Sequence, residues 1–145
     1  MENTLLLILD IDNCNNNKDQ LHRKEKIKKL IDSKTYKGCI FYNNYSFETW
    51  LLLHKFKFNT QLTFRHNYDQ FMTKYFGVEN WSKYKNDKNR KLIMKQIDIN
   101  NIEVAISNCK NLYNNLNTNN GCFKSPSSNM HLLMELLKQL NNKYK

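Results

Sequence analysis

Hydrophobic and polar positions follow two periods along this chain, short continuous apolar runs near the start and spacings of three and four thereafter. Leu5-Leu6-Leu7-Ile8-Leu9 is a purely apolar run that ends in Asp10-Ile11-Asp12. So short and continuous a run fits a strand covered on both faces, as in the middle of a parallel sheet. Asn13 to Asn17 is polar and turn-like, since Asn tolerates the left-handed backbone of turns and caps. Lys18 to Ile31 carries Leu21, Ile27, Leu30 and Ile31 on one side and Arg23, Lys24, Lys26, Lys28 and Lys29 around the rest, the pattern of an amphipathic surface helix. Gly38-Cys39-Ile40-Phe41-Tyr42 predicts a second short strand. Strand, crossover helix and strand make a βαβ unit, almost always right-handed.

Ser46 can cap a helix in which Phe47, Trp50, Leu51, His54 and Phe58 share a stripe. This helix is apolar nearly all round, which predicts burial on more than one side. Glu48 in its first turn is then either a charge favoured by the helix dipole or a group aimed at the end of the sheet. Phe64, Tyr68, Phe71, Tyr75 and Phe76 recur at helical spacing and read as core rather than as a base-stacking platform, which needs exposed rings. Asp98 or Asn100 caps a further helix, where Ile102, Ala105, Ile106, Cys109, Leu112, Tyr113 and Leu116 repeat at three and four. Asn114 to Gly121 is Asn-rich and predicts a loop. A final helix opens at Ser125-Pro126, with Pro in its first turn, and buries Leu132, Leu133, Leu136, Leu137 and Leu140. The fold class is therefore α/β, a short and mainly parallel sheet with many helices and a largely helical C-terminal half.

Composition changes this picture little. The 145 residues suit a single domain spanning 1–145, large enough to bury roughly 68–70% of its unfolded surface. With 3 Gly and 1 Pro there is no obvious linker to divide it. A formal charge of +10 points toward an anionic partner such as nucleic acid. Against that, 20 Lys stand beside 3 Arg and 24 Asn, so codon bias explains the lysine excess as readily as a phosphate-reading surface does; arginine, the better phosphate fork, is scarce. Cys14, Cys39, Cys109 and Cys122 form no C-x-x-C pair and no zinc-like cluster with His22, His54, His66 or His131, and are read as reduced structural thiols. Leu5 to Leu9 is too short for a signal peptide, and no apolar run approaches the ~20 residues of a membrane span. The expectation is a cytoplasmic protein with no membrane partner.

The candidate chemistry sits at the end of the first strand. In extended chain, residues two apart point the same way, so Asp10 and Asp12 converge, and open α/β sheets place ligands beyond the carboxyl ends of their strands. Two converging carboxylates repel each other unless a cation lies between them, and a hard oxygen-seeking ion such as Mg²⁺ or Mn²⁺ is the natural choice. The alternative is that the pair only stops the strand and caps the next helix.

Three segments carry a resemblance: Leu6-Leu7-Ile8-Leu9-Asp10-Ile11-Asp12, Phe47-Glu48-Thr49-Trp50-Leu51-Leu52-Leu53-His54, and Ser125-Pro126-Ser127-Ser128-Asn129-Met130-His131-Leu132-Leu133. In order and rough spacing they resemble the RloB-like (AbiLii-like) family of bacterial anti-phage, abortive-infection proteins with a Toprim-type fold. The middle segment is the most specific. The family pattern there is Ser-Asn-Pro-x-Phe-Glu-Leu-Trp-Leu-Leu-Leu-His, of which this chain keeps Asn44, Phe47, Glu48, Trp50, Leu51, Leu52, Leu53 and His54. It departs from that pattern at Asn43, Tyr45 and Thr49.

The resemblance implies a metal-dependent nuclease centre. Asp10 and Asp12 match the Asp-x-Asp pair of Toprim proteins, Glu48 looks like a further metal ligand or catalytic base, and His54 would orient Glu48 or contact phosphate, or else be a buried structural histidine. Mg²⁺ or Mn²⁺ is the implied cofactor and nucleic acid the implied partner. The family usually carries another glutamate on an earlier strand, which has no counterpart here, so the resemblance also implies an N-terminally truncated domain. A second reading is a catalytically silent subunit that binds an ATPase partner of the defence locus. Substrate identity and oligomeric state are not legible.

Overall fold

The structure, a computed structural model, describes residues 6–10, 25–30, 32–33, 35, 40–44, 46–59, 65–81, 86–116 and 126–143. They form strand β1 (Leu7–Asp10), helix α1 (residues 25–30), strand β2 (Ile40–Asn44), and helices α2 (Glu48–Leu53), α3 (Arg65–Phe76), α4 (Asp87–Gln96) and α5 (Ile99–Leu116). A short strand β3 (Ser127–Ser128) and helix α6 (Met130–Lys143) follow. The architecture is mixed α/β and mostly helical, as the pattern of the sequence predicts.

The sheet order is β1-β2-β3. β1 and β2 run parallel in the register Leu7↔Ile40 through Asp10↔Asn43, and β3 pairs antiparallel with the end of β2, Asn43↔Ser128 and Asn44↔Ser127. β2, with a partner on each side, is buried at every residue. The expectation of a strand covered on both faces is met by β2 and not by β1. In β1 burial alternates, with Leu7 and Leu9 half-buried and Ile8 52% exposed. Among the described residues β1 is an edge strand, and the face that carries Ile8 and Asp10 is open there.

The core is built around β2 and the helices. Phe41 of β2 joins Trp50, Leu52 and Leu53 of α2, Tyr68, Met72 and Phe76 of α3, Ile93 of α4, Ala105 and Cys109 of α5, and Leu133 of α6 in one cluster. Every residue of α2 is buried, as its all-round apolar character requires. The aromatic stripe of α3 is also core: Tyr68 and Phe76 are buried, while Phe71 and Tyr75 stack against Phe56 at ring-centroid distances of 5.1 and 4.4 Å. α3 stops at Gly77, whose φ of 71° suits the left-handed residue that ends helices and whose N–H still donates to the Thr73 carbonyl. Asp98 caps α5, its Oδ1 accepting from the N–H groups of Asn100 and Asn101.

Two expectations for the C-terminal third change. α5 continues through Asn114 and Asn115 to Leu116, so the predicted loop loses its first residues to the helix; 117–121 lie outside the described residues. α6 begins at Met130, not at Ser125-Pro126, because Ser127 and Ser128 give their backbone to β2. The later start turns Met130, His131 and Leu133 inward and leaves Leu132, Leu137 and Leu140 exposed.

Candidate functional site at the carboxyl edge of the sheet

Because β1 and β2 are parallel, their carboxyl ends share one edge of the sheet. Residues in register across neighbouring strands project to the same face, so Asp10, Asn43 and Ser128 form a lateral polar row there. Asp10 is exposed, while Asn43 and Ser128 are fully buried. The Ser128 hydroxyl accepts the Met130 N–H at 3.1 Å and donates to Asn43 Oδ1 at 2.9 Å. The opposite end of the Asn43 amide, Nδ2, is buried without a hydrogen-bond partner among the described residues. A buried donor left in this state costs about 1–3 kcal/mol, which makes it an exception that asks for a reason.

Asn129 locks the row in place. Its side-chain amide acts as one more peptide of the sheet, with Oδ1 accepting the Tyr42 N–H at 2.7 Å and Nδ2 donating to the Ile40 carbonyl at 3.1 Å. Beneath Ser128 sits the buried Cys109, its Sγ 3.5 Å from the Ser128 carbonyl and 3.3 Å from His131 Nδ1. Burial pushes the Cys109 thiol up and the His131 imidazole down, so both stay neutral, as expected of a structural thiol.

Glu48 starts α2 four residues after β2 ends, with only 2% of its surface exposed. Ser46 does not cap the helix backbone as its position suggests. Its hydroxyl donates instead to Glu48 Oε2 at 2.5 Å, and the N-cap position falls to Phe47 with no side-chain bond. Glu48 Oε1 accepts from Arg65 at 2.7 Å and from the Trp81 indole at 2.5 Å. One carboxylate therefore ties the β2–α2 junction to the start of α3 and to Trp81, just beyond its end. Glu48 lies in the first turn of α2, where the helix dipole favours a charge, and its oxygens accept from Ser46, Arg65 and Trp81.

His54 closes the other end of α2. Its Nδ1–H donates to the Trp50 carbonyl at 2.9 Å, and its ring meets the Trp50 ring edge-on at a centroid distance of 5.0 Å. Burial, the largest influence, holds its pKa below the usual 6.5, which leaves the imidazole neutral with Nε2 as its lone-pair nitrogen. No hydrogen bond joins His54 to Glu48. Asp12 lies outside the described residues, and among those described no three His, Cys, Asp or Glu side chains converge as a metal cluster. Within the row only Asp10 is exposed, and a carboxylate oxygen is a ligand type suited to a hard cation.

Sequence reasoning missed the contributions of Asn43, Ser128, Asn129, Arg65 and Trp81. For Ser128 and Asn129 the signal was the Ser-Ser-Asn triplet ahead of an apolar helix, legible as a cap but not as a strand; Asn43 stands in β2, just past the predicted second strand. Arg65 and Trp81 are 17 and 33 residues from Glu48 and gave no local signal. No helix among the described residues is long and apolar enough to cross a membrane. Comparison with curated proteins and with solved structures gives no match. The model of one family, described as RloB-like protein, matches residues 2–137, nearly the whole sequence. This chain belongs to the RloB-like protein family.

Proposed function

We propose that this RloB-like chain is a metal-dependent nuclease of a bacterial anti-phage system, working at the carboxyl edge of its sheet. The observation that carries this reading is the exposed carboxylate of Asp10, in register with the buried Asn43 and Ser128 at the end of two parallel strands. Asp10 and Asp12 are the ligands for Mg²⁺ or Mn²⁺, which when bound would neutralise a scissile phosphate and acidify a water. Asn43, buried in register with Asp10 and bonded to Ser128, holds the strand end that presents the carboxylate. Glu48, with three donors on its two oxygens, acts from behind by fixing the β2–α2 junction. His54 supports the same helix from its far end.

The test incubates the full chain with labelled single-stranded DNA, double-stranded DNA and RNA in Mn²⁺. Cleavage that disappears in Asp10→Ala and in chelator is the expected result. If the folded, Mn²⁺-loaded chain cuts none of the three, catalysis is abandoned in favour of a silent subunit that binds an ATPase of the locus.

A further inference from the structure

Arginine is scarce in this chain, with 3 among 23 basic residues, and one of the three, Arg65, is held by two carboxylates. One arm of its guanidinium donates to the buried Glu48 at 2.7 Å, and its Nε lies 3.8 Å from Asp69. The side chain is nonetheless 31% exposed. A guanidinium carries five N–H groups in a rigid planar fork, and it makes bidentate contacts to phosphate that lysine cannot. Among the described residues the other N–H groups of this fork are not engaged by hydrogen bonds.

A purely structural buried ion pair is a poor use of an arginine, because replacing such a pair with apolar residues is often neutral or stabilising. Here the carboxylate is enclosed and the cation is not. That asymmetry is what an orienting group and its working partner look like. The location also fits. Ser46, two residues past β2, bonds Glu48, and Glu48 bonds Arg65, so the guanidinium is tethered by two hydrogen bonds to the same loop layer into which the carboxyl ends of β1 and β2 open.

We propose that Arg65 is a phosphate-binding residue, contacting the backbone of a bound nucleic-acid strand beside the Asp10 row, with Glu48 as the positioning residue that aims its fork. The assignment rests on the nuclease reading for the identity of the ligand, but not on metal binding or cleavage. It turns a general positive charge into one directed contact.

The experiment measures binding of a labelled oligothymidylate to the full-length protein by fluorescence polarisation, in EDTA, over a sodium chloride series. One lost phosphate contact to a single strand reduces the slope of log affinity against log salt by about 0.7. Arg65→Lys keeps the net charge and can keep the pair with Glu48, but its single ammonium is then held inward. Its slope is expected to fall by about 0.7, with weaker binding at every salt concentration. Arg65→Gln combined with Glu48→Gln removes both charges together, so no lone buried carboxylate is left, and it should show the same fall with a folded circular-dichroism spectrum. Inorganic phosphate added at constant ionic strength should compete with the oligonucleotide more strongly in the parent than in either variant. A folded Arg65→Lys protein with the parent slope overturns the proposal, as does phosphate competition that is equal in parent and variants. Because the titration contains no free divalent metal, its outcome is separate from that of the cleavage assay.

Discussion

Replacing Asn129 with Ala probes the contact that builds the site's floor. The Asn129 side chain satisfies two backbone groups of the central strand, the Tyr42 N–H at 2.7 Å and the Ile40 carbonyl at 3.1 Å. Tyr42 and Ile40 are 1% and 6% exposed, so neither group can turn to bulk water when the amide is removed. An unsatisfied buried donor or acceptor costs about 1–3 kcal/mol. Two of them place the loss at roughly 2–6 kcal/mol, and the lower half of that range is expected because the small space vacated by the amide can admit a water. At about 3 kcal/mol the midpoint of thermal unfolding drops by roughly 10 °C for a chain of this size. Urea unfolding followed by far-ultraviolet circular dichroism reads the change directly, as a lower midpoint at unchanged slope. Asn129→Asp should be no milder, since its second oxygen would face the Ile40 carbonyl instead of donating to it. A loss below about 1 kcal/mol in Asn129→Ala would refute the argument, because it would mean that water replaces both bonds at little cost.

Trp50→Ala removes a buried ring from the main cluster and should destabilise by ~3–5 kcal/mol; a loss under about 1 kcal/mol in urea unfolding would contradict the burial of α2. The pH dependence of stability has a defined sign: burial holds His54 and His131 below the ordinary 6.5, so as the pH falls below that value the unfolded chain takes up protons that the native chain refuses. Stability is therefore full above about 6.5 and declines on acidification toward the lower native values, and the decline should be shallower in His54→Gln; identical pH profiles for parent and variant would count against a buried neutral His54.

Much of the fold could be read from spacing because the forces involved are local or periodic. The apolar runs around Ile8 and Phe41 identified both parallel strands, and the three-and-four repeat from Ile102 to Leu112 marked the buried side of α5. Asp98 was legible as a cap because its acceptor serves N–H groups two and three residues on. What was not legible depends on partners distant in sequence. Ser127-Ser128 has no apolar pattern of its own and becomes a strand only because β2 presents an unpaired edge to it. The relative burial of β1 and β2 follows from which strand has two neighbours, and two similar apolar runs do not reveal that. Glu48 was visible as an acid at a helix start, but its role depends on Arg65 and Trp81, which the folding of α3 brings to it. Membership of the RloB-like family was legible because three short segments keep both composition and order, and the family match over residues 2–137 agrees.

Asp10 and Asp12 are proposed to hold a divalent metal at the carboxyl edge of the sheet. Isothermal titration calorimetry of the full chain with Mn²⁺ tests it without requiring a substrate. Saturable binding by the parent protein is expected, and its loss in Asp10→Asn combined with Asp12→Asn, with the circular-dichroism spectrum unchanged. Mn²⁺ affinity that is the same in parent and double variant would contradict it.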